Sequence, residues 1–373
     1  MKIEDRGFVY DAGQRAAAES VASFTGLCPL ASGRMLCTFQ LGSAKHAVDS
    51  TVRLCRSADR GRTWQELAVR LQTTVNGVAG SLGSGEMVEV EPGRILLMVT
   101  WFDRSDPRQP LFDPVTEGLL PSKQLAAYSS DEGDTWTPWR EVEIPSLKGC
   151  TITGPMLRWS DGAIAYAFES YKDFRDRGPA THGAWYIVSR DRGATFGSPV
   201  LVAQDPRAGI FYWDQRMCVG PAPGEYVSMF WTHDLKRKQD LPVHLCNGSS
   251  VGPVATAIPG QIAAPLLLEN GDLLSFVVDR GKPGTMTLWR SPDRGLNWPE
   301  SCVVHVHDER ALLSQGKENI EYTEYWDDML KWSFGHPALR SLGDGRVLVV
   351  FYAGVPGRLS IHWARVDVNA PKS

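Results

Sequence analysis

The sequence repeats one eight-residue turn four times. The first copy reads Ser-Ala-Asp-Arg-Gly-Arg-Thr-Trp from Ser57 to Trp64, and the others begin at Ser129, Ser189 and Ser291. In each copy the Asp can accept hydrogen bonds from the backbone amides of its own turn, and the Gly can adopt the positive φ of a tight reversal. The Thr and the aromatic residue favour a following strand, with the ring folded over the turn. The four copies indicate one repeated β-structural unit.

This turn resembles the Asp box, or BNR repeat, of the sialidase (neuraminidase) superfamily. The resemblance implies a β-propeller, which is a single closed domain. We therefore expect residues 1–373 to form one domain, although the length alone would allow two. In such propellers the Asp boxes lie on the outer rim, so we assign these turns to structure and not to chemistry.

A second repeat predicts the number of blades. Six apolar segments are each interrupted by a glycine turn and then continue, as in a hairpin of two inner strands. The turn glycines are Gly33, Gly93, Gly162, Gly224, Gly271 and Gly345. We expect an all-β chain, a six-bladed β-propeller of four-stranded antiparallel blades. The segment around Phe8–Tyr10 would supply the last strand of the sixth blade, and Pro242–Pro253 would be the remnant of a turn repeat in the fourth.

Composition and charge exclude several classes of partner. The formal net charge is −4 and no basic cluster stands out, which argues against nucleic acid and anionic membranes. No stretch of about 18 apolar residues is present. The N-terminus lacks the apolar core of a signal peptide, so we expect a cytoplasmic protein or one whose signal has been removed.

The seven cysteines are widely spaced and include no C-x-x-C pair. Several lie in strand-like apolar segments. We therefore expect buried free thiols in a reducing compartment, without a metal site or a disulfide framework. The sequence gives no motif for a cofactor.

The resemblance also indicates where a ligand would bind. In the sialidase superfamily the site lies at one mouth of the central channel, formed by the starts of the innermost strands and by the loops between the second and third strands. Aligned on the hairpin turns, the catalytic candidates are Asp49, Asp214 and His336. The substrate-binding candidates are His46, Arg104, Glu169, Trp213, Arg216, Trp231, His233, Gln261 and Arg280.

The segment Trp213-Asp-Gln-Arg216 is the strongest of these candidates. Charged groups just before a buried strand are costly unless they are paired or functional. Because alternate strand residues point the same way, we expect Asp214 and Arg216 to share one direction and Gln215 to face the neighbouring blade. An adjacent Arg favours an ionised Asp, which suits a nucleophile or a base. The acid would then be Asp49 or His46.

The resemblance to sialidases is incomplete at the site. Sialidases hold the substrate carboxylate with three arginines, and Leu27 occupies the place of the first. Their nucleophilic Tyr and assisting Glu correspond to His336 and Asp214, and their acid/base Asp corresponds to Asp49. The chain therefore resembles a sialidase that lacks a recognisable arginine triad, and simple sialosides are not its expected substrates.

Two function classes follow. The first is an exo-acting glycoside hydrolase or related carbohydrate-active enzyme, with Asp49 and Asp214 facing each other across roughly 5–9.5 Å. A lyase or isomerase that uses His336 as its base is a variant of this class. The second is a propeller that binds carbohydrate or protein without catalysis. The expected partner in the first class is a carbohydrate or glycoconjugate, with Trp213 and Trp231 stacking on a sugar ring.

Overall fold

Antiparallel strands form nearly all of the regular structure in the computed structural model, which describes residues 1–248, 252–281, 283–308 and 324–370, apart from the side chains of 325–327. The first fourteen strands are β1 (Lys2–Tyr10), β2 (Val21–Pro29), β3 (Met35–Gly42), β4 (Thr51–Ser57), β5 (Gln65–Glu66), β6 (Gly80–Glu91), β7 (Arg94–Asp103), β8 (Ser122–Ser129), β9 (Arg140–Val142), β10 (Cys150–Ile152), β11 (Leu157–Arg158), β12 (Ile164–Tyr171), β13 (His182–Ser189) and β14 (Val200–Ala203).

The second half of the chain continues the same pattern. Its strands are β15 (Ile210–Val219), β16 (Tyr226–Asp234), β17 (Gln239–Asn247), β18 (Val254–Ala255), β19 (Ala263–Leu267), β20 (Leu273–Asp279), β21 (Thr285–Ser291), β22 (Val303–Asp308), β23 (Phe334–Gly343), β24 (Arg346–Val355) and β25 (Arg358–Asp367). Helical structure in the described residues is limited to α1 (Glu324–Met329) and two 3-10 turns, Ala17–Glu19 and Glu300–Cys302. The predicted all-β class is confirmed.

The strands form five hydrogen-bonded sheets. Three are four-stranded and follow chain order, namely β6 to β9, β15 to β18 and β19 to β22. In a fourth sheet β10 and β11 both pair with β12, which continues to β13 and β14. The fifth sheet has eight strands, because β2 to β5 and the group β23, β24, β25 and β1 meet through one parallel pair between Val21 and Leu359.

The N-terminal strand pairs with the C-terminal strand. β1 runs antiparallel to β25, from Lys2 opposite Asp367 to Tyr10 opposite Ile361. The N-terminal ammonium donates to the carbonyl of Ala370 at 2.9 Å. The prediction that the segment around Phe8–Tyr10 supplies the last strand of this unit is confirmed.

The repeated turn has the hydrogen bonds that its sequence predicts. In the first copy Asp59 accepts the backbone amide of Thr63 at 2.8 Å and its hydroxyl at 2.6 Å, and Ser57 Oγ accepts the amide of Gly61 at 2.8 Å. The indole of Trp64 folds back and donates to the Gly61 carbonyl at 3.1 Å. Matching bonds to the Asp and the Ser recur in the other copies.

Glycine is required at both kinds of repeated turn. The turn-repeat glycines Gly61, Gly133, Gly193 and Gly295 have φ between 85° and 97°. All six predicted hairpin glycines also have positive φ, from 69° at Gly345 to 90° at Gly271. An L side chain is strained in this region of the Ramachandran plot, so these positions fix where each hairpin reverses. The predicted remnant Pro242–Pro253 includes residues 249–251, which lie outside the described residues.

The core lies between neighbouring sheets. Leu36 and Leu54 of one sheet, for example, pack in one cluster with Leu97 and Leu125 of the next. Six of the seven cysteines are buried, as predicted, and Cys302 is half-buried. Among the helices of the described residues, none is long and apolar enough to cross a membrane.

Candidate active site

A cavity opens where the inner strands begin. It offers about 100 Å³ to the centres of water-sized molecules. Its wall combines inner-strand residues with the ends of second strands, with the long loop after β7 and with the segment after α1. Seven of the twelve predicted site residues line it: His46, Glu169, Trp213, Asp214, Trp231, Arg280 and His336.

A repeated β-bulge directs side chains into this cavity. In β2, β6, β15 and β23, two residues of the inner strand lie opposite one residue of the next strand. In three of these bulges the first residue has positive φ: Phe24 at 53°, Asp214 at 49° and His336 at 52°. All three line the cavity. Non-glycine residues in this region are strained, and such strain is concentrated at functional sites.

Asp214 and Arg216 line two different spaces. Asp214 lines the cavity, and Arg216 lines a second, smaller one of about 10 Å³ between inner strands. Their charged atoms are 3.6 Å apart, so the two side chains remain in contact. Gln215 is fully buried, and its backbone amide donates to Glu169.

Two carboxyl groups, Glu169 and Asp214, line the cavity. Glu169 is 1% exposed, and its two oxygens accept the Tyr171 hydroxyl at 2.7 Å and the backbone amide of Gln215 at 3.0 Å. Burial raises the pKa of Glu169 to about 7. Burial also raises the pKa of Asp214 to about 6, against the lowering effect of Arg216, and the nearby Glu169 raises it further. Arg216 favours the ionised form of Asp214, as expected, but desolvation is the larger effect on its pKa.

A third carboxyl group, Glu86, lines the smaller cavity with Arg216 and Arg340. Glu86 is 4% exposed, and its Oε2 has no hydrogen-bond partner in the described residues. Burial raises the pKa of Glu86 to about 7, although both arginines lower it. The guanidinium nitrogens of Arg216 likewise make no hydrogen bond within the part of the chain described here. The sequence reasoning missed Glu86, because alternation within an apolar strand does not identify a buried acid.

The aromatic wall is held by one carboxylate. Asp240 accepts Trp231 Nε1 at 2.7 Å and Gln261 Nε2 at 3.1 Å, and its Oδ1 lies 2.9 Å from His233 Nδ1. His233 stacks on Trp213 with ring centroids 5.2 Å apart. Neither His233 nor Gln261 lines the cavity. His233 and Gln261, which the sequence predicts to bind substrate, therefore lie behind the cavity wall.

Arg280 lies between two indoles. Its guanidinium carbon is 3.8 Å from the Trp332 ring centroid and 5.8 Å from that of Trp231. Gln261 Oε1 accepts the Arg280 backbone amide at 2.9 Å. The side chain is 6% exposed, and the guanidinium also interacts with the Tyr352 hydroxyl, whose pKa it lowers. Arg280 therefore presents a cation in the cavity wall.

The two histidines of the cavity are neutral at physiological pH. Burial lowers the pKa of His46 to about 3 and that of His336 well below its usual value. His46 stacks on Phe24 at 4.5 Å, and Phe24 meets His336 edge-on at 5.2 Å. A histidine that stays neutral can donate or accept a hydrogen bond, but it is a poor general acid and a weak base.

Two further predicted residues, Asp49 and Arg104, also lie outside the cavity. Asp49 is on an exposed loop, where its Oδ1 accepts the backbone amide and the hydroxyl of Ser43 at 3.1 Å and 2.9 Å. Arg104 donates to Ser81 Oγ and to the carbonyls of Gln109 and His46. Arg104 therefore supports the His46 loop. The expectation that Asp49 faces Asp214 across the cavity is wrong, because Asp49 lies on an exposed loop outside it.

Several wall residues were missing from the predicted site. The main ones are Phe24, Tyr171, Trp332 and Tyr352. Leu27 aligns with the first arginine of sialidases, but it lines the smaller cavity with Arg216. Phe24 is the residue of β2 that lines the main cavity. A bulge in β2 leaves no clear sequence signal. No group of three or more His, Cys, Asp or Glu in the described residues is arranged to hold a metal ion.

Glu86→Gln tests the buried charge. The folded-state pKa of Glu86 is about 7 and its usual value is 4.5, so the folded protein binds this proton more tightly than the unfolded chain. This group therefore lowers the stability of the wild type as the pH rises from about 4.5 to 7. We expect Glu86→Gln to gain up to about 3 kcal/mol relative to wild type between pH 4.5 and pH 8 in urea unfolding. The control Glu300→Gln changes an exposed residue and should show no such gain. An equal pH dependence in Glu86→Gln and wild type would contradict the assignment.

Comparison with protein-family models finds no match, and neither does comparison with curated proteins. Solved structures do match over the whole chain. A protein of unknown function from Dyadobacter fermentans superposes with a TM-score of 0.71 at 16% identity, covering 98% of each chain. A Hadza microbial sialidase matches with a TM-score of 0.66 at 17% identity over 97% of this chain and 68% of its own. A Penicillium chrysogenum α-L-arabinanase, complexed with arabinobiose, matches with a TM-score of 0.62 at 16% identity over 100% of both chains.

Proposed function

We propose that this protein, which has the fold of the sialidase-like β-propellers, is an exo-acting glycoside hydrolase for a sugar other than sialic acid. The observation that carries the proposal is the pair Glu169 and Asp214, two carboxyl groups in one cavity wall whose pKa values burial raises. Glycosidic cleavage needs one group that protonates the leaving oxygen and a carboxylate that acts on the anomeric carbon directly or through water.

The sheet pattern supports six blades around the cavity in one domain. The eight-stranded sheet separates into two four-stranded units that share a single residue pair, and the other four sheets each supply one unit. The two halves of the eight-stranded sheet would be the first and sixth blades, with β1 as the outermost strand of the sixth. Inner strands from several of these units contribute to the cavity wall.

The environments of the two carboxyl groups suggest their roles. Asp214 has 26% of its side chain exposed, and Arg216 beside it favours the ionised form. Asp214 would therefore be the nucleophile or the base. Glu169, with a pKa of about 7, is protonated in a large share of molecules at neutral pH and would be the general acid. Glu169 thus takes the role that the sequence analysis gave to Asp49 or His46.

The cavity wall suits a sugar ring. Trp213 and Trp231, with ring centroids 5.1 Å apart and nearly perpendicular, offer two aromatic faces. Arg280 offers donors for hydroxyl or carboxylate oxygens. A cavity of about 100 Å³ favours one terminal residue over an internal segment of a polysaccharide.

The alternatives have less support. A lyase or isomerase would use His336 as its base, but burial holds the pKa of His336 well below its usual value. A non-catalytic binding protein does not need two carboxyl groups with raised pKa values in one cavity wall, and such groups cluster at catalytic sites.

A panel of 4-methylumbelliferyl glycosides tests the proposal, with α-L-arabinofuranoside included because of the arabinanase likeness. We expect turnover of at least one non-sialic sugar and no measurable turnover of the sialoside. The reason is that Phe24 faces the cavity from β2, and Arg280 is the one guanidinium among the cavity-lining residues that the structure describes. A single arginine cannot replace three charge-assisted contacts to a carboxylate. Efficient sialoside hydrolysis would contradict the substrate assignment. If no glycoside of the panel is hydrolysed, the proposed glycosidase activity is wrong.

A further inference from the structure

A cleft, distinct from the smaller cavity that Arg216 lines, adjoins the main cavity. This cleft offers about 400 Å³ to the centres of water-sized molecules, within the roughly 300–1,000 Å³ typical of small-molecule sites. It shares four wall residues with the cavity: His46, Leu111, Phe112 and Met329. The two spaces therefore adjoin at these four residues.

The charged side chains of the cleft are occupied within the protein. Lys45 Nζ donates to the carbonyls of Met329 at 2.7 Å and Trp332 at 2.6 Å. The three guanidinium nitrogens of Arg104 donate to Ser81 Oγ and to the carbonyls of Gln109 and His46. Asp113 Oδ1 accepts the amides of Val115 and Thr116 at 2.8 Å, and Glu117 also has a partner in the protein. Few charged donors or acceptors in the cleft are left to recognise a ligand.

The remaining wall is chiefly apolar and partly open to water. Val48 is 41% exposed and Leu330 is 52% exposed, and both line the cleft beside Leu111 and Phe112. Apolar side chains exposed at the rim of a concave site mark a surface that an apolar ligand can cover.

We propose that the cleft binds the leaving group of the substrate, and that this leaving group is an apolar aglycone such as a phenol or an alkyl alcohol. This inference rests on the proposed glycosidase function. Water supplies a hydroxyl to the anomeric carbon, the bond between that carbon and the aglycone oxygen breaks, and the oxygen takes the proton of Glu169. The remaining proton of the water restores the one that Glu169 has given up. The products are the free sugar and a neutral alcohol or phenol, so no co-reactant besides water is consumed.

Equilibrium binding of free 4-methylumbelliferone, followed by its fluorescence, tests the cleft without any turnover. We expect binding to wild type and a weakening of about fivefold or more in Val48→Asp and in Leu330→Asp, since each change removes apolar contact and adds a charge. Both residues are exposed, so the fold should tolerate the changes, which a thermal melt verifies. Leu296→Asp, at a residue 82% exposed on the turn repeat at Ser291, is the matched control and should bind like wild type.

The outcomes separate the two proposals. Specific binding that both cleft variants weaken supports the cleft even if no glycoside is hydrolysed, which would leave only the enzyme proposal refuted. Absence of binding to wild type would overturn the aglycone assignment, even for an enzyme that hydrolyses the panel. Binding that is equal in wild type, both cleft variants and Leu296→Asp would overturn it as well.

Discussion

Asp214→Asn should lower the turnover number for the best glycoside of the panel by about 10³-fold or more, with little change in affinity. The amide keeps the shape of the side chain but cannot attack the anomeric carbon or take a proton from water. Asn also tolerates the φ of 49° at this bulge, so the backbone should keep its conformation. Steady-state kinetics and ligand-induced thermal shifts measure the two effects separately.

Asp49→Asn is the matched comparison for this experiment. It makes the same chemical change in a carboxylate that lies on an exposed loop outside the cavity. We expect its turnover number to equal that of wild type. If Asp49→Asn were inactive and Asp214→Asn active, the acid pair would be misassigned. If both variants kept full activity, the paired-carboxylate mechanism would be wrong.

Trp298→Ala should destabilise the fold by about 3–5 kcal/mol, because it removes a large, well-buried side chain. Trp298 is 6% exposed, packs in an apolar cluster with Leu245 and Leu273, and donates to the Gly295 carbonyl. Trp64 and Trp136 occupy the same place in their turns but are half-buried, so their Ala variants should lose less. Urea unfolding measures all three.

Activity provides the second readout for these turns. The turns have a structural role, so the turnover number per folded molecule should be unchanged in all three variants. A Trp298→Ala protein of normal stability and reduced activity would contradict the division between turns and site.

The sequence was a reliable guide wherever local chemistry determines the backbone. The Asp59 turn can form its hydrogen bonds without any partner from elsewhere in the chain, and the same holds for its three copies. The hairpin glycines are similarly local, since a tight reversal with positive φ selects Gly at positions such as Gly33. These two signals were enough to predict the strand pairs and the pairing of β1 with β25.

The site was less predictable because it depends on irregularities. The period-two rule did not predict the extra residue in β15, where Asp214 lines the cavity with a positive φ. The sign of the pKa shift at Asp214 depends on how deeply the group is buried, which a neighbouring Arg in the sequence does not reveal. Glu169 was predicted as a ligand contact, but its possible role as an acid follows only from the burial and the donors around it. The prediction that Asp49 is the acid was wrong because its loop turns the carboxylate towards Ser43.

The pairing of β1 with β25 has a consequence for biosynthesis. Lys2–Tyr10 is made before its partner Arg358–Asp367, which follows more than 300 residues later. Until then the intervening sheets can form, but β1 has no partner strand. Contacts of such long sequence separation form slowly, and unpaired strand edges attract other chains. Pairing of β1 with β25 is therefore a late step in folding, and the strand edge is exposed to aggregation before it.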